Sequence, residues 1–116
     1  MSDLINHSTS LMASKKCVPC EDQAPLKEGE IQKYIAELKG GWEVQDNIKI
    51  KKHFKFKDFK EAMIFVNKVA DLAESEGHHP DITIHYNKVN IFIWTHSISG
   101  LSENDFILAA KIDNIN

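Results

Sequence analysis

Three histidines stand where they could move protons. His78 and His79 are adjacent and are followed at once by Pro80, which stiffens the loop that carries them. His96 lies further on, at the end of an apolar strand-like run. Histidine ionises near neutral pH, and imidazoles gathered in one cleft can serve as general acid and general base. Two carboxylates are spaced to orient them. Glu74 lies one helical turn before His78, and Asp105 follows His96 in the first turn of a later helix. Plainer readings exist for each: loop imidazoles bonded to backbone, a solvated helix carboxylate, a helix-capping carboxylate. His7, His53 and His85 fall in a polar tail or on polar strand faces and carry no assigned function.

A metal site is the competing chemistry. Cys17 and Cys20 have the Cys-x-x-Cys spacing of zinc ligands, and His78 with His79 would complete a set. Against this, the cysteines fall in the expected tail. Adjacent histidines rarely ligate one ion with good geometry, and the helical His spacing is absent. No metal site is therefore expected. The sequence has no glycine-rich phosphate loop and no Gly-x-Ser-x-Gly elbow, and neither cysteine has the setting of a nucleophile.

The elements that must position these residues follow from periodicity. Residues 1–25 are polar, lack a sustained apolar period and are expected to form a flexible N-terminal segment; a single domain spans 26–116. A helix is predicted over Lys27–Lys39, with Ile31, Tyr34, Ile35 and Leu38 on one stripe and Gly40-Gly41 as its stop. Trp42–Val44 reads as a short strand and Asp46-Asn47 as a turn. Ile48–Phe56 alternates, with Lys52 interrupting its apolar side, which suggests incomplete burial there. Its lysine row is read as a solvated face rather than a phosphate stripe.

Asp58 and Glu61 make a capping-box pattern for a second helix that ends at Gly77. Its predicted buried stripe is Phe59, Ala62, Met63, Val66, Val69, Ala70 and Ala73. Ile82–Tyr86 and Val89–Thr95 form a hairpin about an Asn87-Lys88 turn. The second of these strands is apolar on both faces and so belongs mid-sheet or at a subunit contact. Ser97–Gly100 is a loop. Ser102 caps a final helix with Asp105 at the capping-box position.

The order α-β-β-α-β-β-α implies an α+β fold: a four-stranded antiparallel sheet with three helices packed on one face. Phe92 and Trp94 on the other face would make an apolar patch of the kind that marks an interface, so a homo-oligomer is expected.

Composition agrees with one globular domain. The chain has 116 residues, 42% of them hydrophobic and 27% charged. The net charge of −3 argues against a nucleic-acid footprint. No apolar run reaches the roughly 20 residues of a membrane span, and no secretory signal is evident. Two close cysteines in such a chain argue against a structural disulfide and for a cytoplasmic protein.

These residues also resemble a known family. Glu74-x-x-x-His78-His79-Pro80, five residues to Tyr86, nine to His96 and eight to Asp105 match, without gaps, the signature of pterin-4a-carbinolamine dehydratases. Gly41-Trp42, Phe54–Phe59, Tyr86–Val89, Thr95-His96 and Gly100–Ser102 extend the match. Lys16–Cys20 with Pro25-Leu26 resembles the N-terminal stretch of bacterial members.

The resemblance implies dehydration of 4a-hydroxytetrahydrobiopterin to quinonoid dihydropterin, recycling the cofactor of aromatic amino-acid hydroxylases. It implies a small-molecule pterin substrate, no metal or cofactor, a dimer or tetramer, and a functional link to phenylalanine hydroxylase. It assigns His78, His79, His96 and Asp105 to catalysis. Glu74 and Pro80, with the three histidines, would contact the pterin. The alternative it leaves is a non-catalytic accessory or dimerisation partner. Animal members play such a part for a homeodomain transcription factor, but nothing here suggests a DNA-binding surface.

Overall fold

The structure is a computed structural model that describes residues 12–19 and 23–116. Helix α1 (Glu28–Ile35) buries Ile31 completely and stacks Tyr34 on Phe106, with ring centroids 5.2 Å apart. It stops four residues short of the predicted end. Past Ile35 the backbone bonds tighten to i→i+3, Glu37 N–H to Tyr34 and Leu38 N–H to Ile35.

Strands β1 (Glu43–Gln45) and β2 (Lys49–Lys55) form a hairpin. Asp46 and Asn47 take the left-handed conformations that such a tight turn requires. Helix α2 (Phe59–Glu76) is N-capped by Asp58, whose carboxylate accepts the Glu61 N–H at 2.9 Å. Strands β3 (Asp81–His85) and β4 (Lys88–Ile93) form a second hairpin. Helix α3 (Glu103–Ile115) closes the chain.

All pairings are antiparallel, in the order β1-β2-β4-β3. The α+β expectation and the central place of β4 therefore hold. Ile50 and Phe54 of β2 and Val89, Ile91 and Ile93 of β4 form the core face. Against it lie Ala62, Phe65, Val69 and Ala73 of α2 and an almost wholly buried α3.

Several details correct the sequence reading. Tyr86 and Asn87 form the β3–β4 turn, with Tyr86 left-handed and exposed, because His85 pairs directly with Lys88. On α2, Phe65 is buried, whereas Phe59 is half exposed and Ala70 is exposed. Residues 12–19 lie on the domain rather than trailing from it. Met12 sits in the core, and the Cys17 and Val18 amides bond to side chains of α2 and α3.

Lys52 is the most informative correction. It stays on the core face and its ammonium meets Asp113 of α3 at 2.7 Å. The Trp42 indole N–H donates to the other Asp113 oxygen at 3.0 Å. The lysine interrupts the apolar pattern because a buried carboxylate faces it, not because the face is open to water. Gly41 makes room for it: at φ +105° an added Cβ would sit 3.0 Å from the Lys52 stem. Every buried side-chain nitrogen and oxygen among the described residues has a hydrogen-bond partner.

Candidate active site

Two helix ends build the site. α2 stops at Gly77, whose left-handed φ of 66° closes the helix with its N–H on the Ala73 carbonyl. The chain then turns away, Pro80 forbids further helix, and His78 reaches the first turn of α3. There the Asp105 carboxylate, with no solvent exposure, lies 2.6 Å from His78 Nε2.

Asp105 does both jobs that the sequence left open. Its Oδ2 accepts the Ser102 N–H at 2.8 Å, which caps α3, and the Thr95 hydroxyl at 2.9 Å. Its Oδ1 takes the His78 ring. A carboxylate so placed favours the tautomer with the proton on Nε2, which leaves Nδ1 as the ring's acceptor. His78 itself has only 13% of its side chain exposed.

His79 is held differently. Its Nε2 lies 2.5 Å from Glu74 Oε2, and both side chains are largely in solvent. Glu74 therefore supports His79, not His78. The first turn of the loop swings His78 inward and leaves its neighbour over the last turn of α2.

His96 begins a single 3₁₀ turn, His96–Ile98, three residues beyond the end of β4. Thr95 and Gly100 close this turn with paired backbone bonds of 2.8 and 3.4 Å. The His96 ring stacks on Trp94, with centroids 4.0 Å apart at 34°. The Trp94 indole N–H is tied to Asp81 at 3.2 Å. Sequence reasoning placed Trp94 in an interface patch and missed this role. Its i,i+2 spacing to His96, across the end of a strand, was the available signal.

His78, His79, Pro80, Trp94 and His96 all line one cleft of about 630 Å³. Asp105 stands behind His78, and Glu74 is not part of the lining. Cys17, Val18 and Pro19 line the cleft as well, which sequence reasoning did not anticipate.

Burial, helped by the charge of Glu76, pushes the Cys17 thiol up to about 12, so it stays protonated. Cys20, its partner in the metal reading, and His7 lie outside the described residues. Among the described residues no three His, Cys, Asp or Glu side chains are placed to hold a metal ion. Nor is any described helix long and apolar enough to cross a membrane.

A cleft with one imidazole held by a buried carboxylate and two more at its rim suits proton transfer to and from a small substrate. The comparisons with known proteins point the same way. The profile of the family described as Pterin 4 alpha carbinolamine dehydratase matches residues 24–115. A relative from Alkaliphilus metalliredigens, named "Putative pterin-4-alpha-carbinolamine dehydratase", is 48% identical over 88% of this chain and 93% of its own length. Arabidopsis thaliana pterin-4-alpha-carbinolamine dehydratase 2, mitochondrial, is 44% identical over 90% of this chain and 58% of its own.

Among solved structures, a transcriptional coactivator/pterin dehydratase from Brucella melitensis superposes with a TM-score of 0.74 at 37% identity, covering 78% of this chain and 97% of that one. A pterin dehydratase-like protein described as a RuBisCO assembly factor in the alpha-carboxysome superposes at 0.56 with 26% identity, covering 65% and 88%. With a family profile across most of its length and relatives near half identity, the chain belongs to the pterin 4 alpha carbinolamine dehydratase family.

Proposed function

We propose that the protein dehydrates a 4a-hydroxytetrahydropterin to quinonoid dihydropterin and water by imidazole acid–base catalysis. The observation that carries this reading is His78 locked by the buried Asp105 in a cleft shared with His79 and His96. Dehydration removes a proton from a ring nitrogen, breaks the C4a–O bond and returns a proton to the departing hydroxide. The electron pair of the N–H bond becomes the new C=N bond, so no oxidant enters. His78 Nδ1 serves as the base and His96 as the acid. His79, braced by Glu74, orients the pterin beside Pro80.

Regeneration of this pterin serves aromatic amino-acid hydroxylases, which supply the hydroxypterin, phenylalanine hydroxylase among them. The half-covered Phe92 and Trp94 on the outer sheet face support a homo-oligomer. The second reading is a non-catalytic assembly partner, favoured by the likeness to the RuBisCO assembly factor. A partner protein has no need of a buried carboxylate holding an imidazole toward a cleft.

The test uses chelator-treated protein and substrate generated in place by a phenylalanine hydroxylase, followed by absorbance. Acceleration that vanishes in His96→Ala supports the enzyme. A folded protein with no acceleration supports the partner.

A further inference from the structure

One wall of the cleft comes from outside the family signature. Cys17, Val18 and Pro19 reach it in an irregular segment that side chains, not secondary structure, hold in place. Asn104 grips Val18 on both sides: Oδ1 accepts the Val18 N–H at 3.0 Å, and Nδ2 donates to the Val18 carbonyl at 2.5 Å. The side-chain amide thus reproduces the paired bonding of a strand ladder.

Glu76 makes a second clamp. Its Oε1 accepts the Cys17 N–H at 3.0 Å, and Lys111 meets its Oε2 at 2.5 Å. Burial favours a protonated Glu76, but the Cys17 N–H and the Lys111 ammonium outweigh it and hold the carboxyl below its ordinary range. Lys16 adds a bond to the Ser75 carbonyl at 3.0 Å, and Met12 anchors the segment in the core. Four independent attachments over so short a stretch are more than a passive tail requires.

Both clamps belong to the helix ends that build the site. Glu76 is the last residue of α2, two before His78, and Asn104 immediately precedes Asp105. With its backbone occupied, Val18 leaves its side chain, 57% exposed, at the cleft.

We propose that residues 16–19 form a strap that completes the substrate site, with Val18 and Pro19 as its apolar wall and Asn104 and Glu76 as positioning residues. This rests on the dehydratase reading. A planar fused ring fits an apolar wall on one side and proton-transfer groups at its edge. The strap holds substrate and transition state alike, so its loss raises KM and leaves kcat in place.

The experiment compares Val18→Asp and Asn104→Ala with the parent by steady-state dehydration of 4a-hydroxytetrahydropterin. Val18→Asp changes an exposed side chain and keeps both backbone bonds, so it tests the wall without unfolding the domain. A rise in KM of about tenfold, with kcat within twofold, is expected for both. Tryptic cleavage after Lys16 is expected to quicken severalfold in Asn104→Ala. Unchanged KM in both variants would overturn the strap, as would a fall in kcat at constant KM, which would make Asn104 a support of His78 instead. An inactive, folded parent would remove the dehydratase reading and the strap with it.

Discussion

Replacing Asp105 with Asn exchanges one carboxylate oxygen for an NH2 group and, on the proposed mechanism, reverses the chemistry offered to the substrate. The Ser102 N–H, at 2.8 Å, and the Thr95 hydroxyl, at 2.9 Å, both need an acceptor at the Oδ2 position. The Asn amide satisfies them by placing its oxygen there, and its NH2 then faces His78 Nε2. Nε2 must become the acceptor, so the ring proton moves to Nδ1. The nitrogen that takes a proton in the proposed mechanism now carries one. Loss of a positioned base costs about 10²–10⁴ in rate, and a wrong tautomer lies at the upper end of that range. The fold suffers less. All three bonds to the side chain survive and lose only their charge assistance, together about 2 kcal/mol, or roughly 10 °C in Tm for a domain of this size. Absorbance-followed dehydration and thermal unfolding read the two effects separately. The double variant Asp105→Asn/His78→Ala should be no slower than His78→Ala, because both act through one imidazole. A folded Asp105→Asn protein within threefold of parental kcat would refute the tautomer argument.

Three further perturbations test the scaffold. Lys52→Met should cost about 3–5 kcal/mol in urea unfolding, because it leaves the buried Asp113 carboxylate without its cation, and adding Asp113→Asn should recover part of the loss. Phe106→Ala should cost about 3–5 kcal/mol by the same measurement, since Phe106 is fully buried beneath Tyr34. The Cys17 thiol, raised from 9.0 to about 12, should react with iodoacetamide at pH 9 about 10²–10³-fold more slowly in the folded than in the unfolded protein, read by mass in a Cys20→Ser background. Its protonated form is favoured by folding, so this contribution to stability is complete below about pH 9 and fades as pH rises toward 12; Cys17→Ser should flatten that alkaline limb.

What the sequence disclosed and what it hid divide along a physical line. Local signals were legible: the Asp58 cap, the Gly77 stop and the alternation of β2 and β4 are set by neighbours in the chain. The histidine pair was legible for the same reason, since Gly77 and Pro80 bracket it. Hidden features depended on partners far away in sequence. Lys52 looked like a flaw in a strand until Asp113 faced it. Val18 looked like tail until Asn104 held it. Glu74 was assigned by helical spacing to His78, yet the left-handed Gly77 redirects the chain and gives Glu74 to His79. Periodicity reports which face a residue occupies, not which long-range group waits there.

The two carboxylates explain why adjacent imidazoles can take unlike parts. Asp105 is sealed in the core, bonded on both oxygens, and cannot move without uncapping α3 and freeing Thr95. His78 therefore has one orientation and one tautomer, which a base needs if no energy is to go into rearrangement at the moment of transfer. Glu74 and His79 hold each other at the surface, where water competes for both and the ring can tilt to follow a substrate. His96 has no carboxylate contact among the described residues; it rests on Trp94, which fixes the plane of its ring and leaves both nitrogens to exchange protons. On the proposed mechanism these are a rigid base, an adjustable binder and a stacked acid. The same Asp105 that enforces the first also caps the helix, so a side chain with no acceptor at the Oδ2 position would lose fold and chemistry together, whereas Asn would lose chiefly the chemistry.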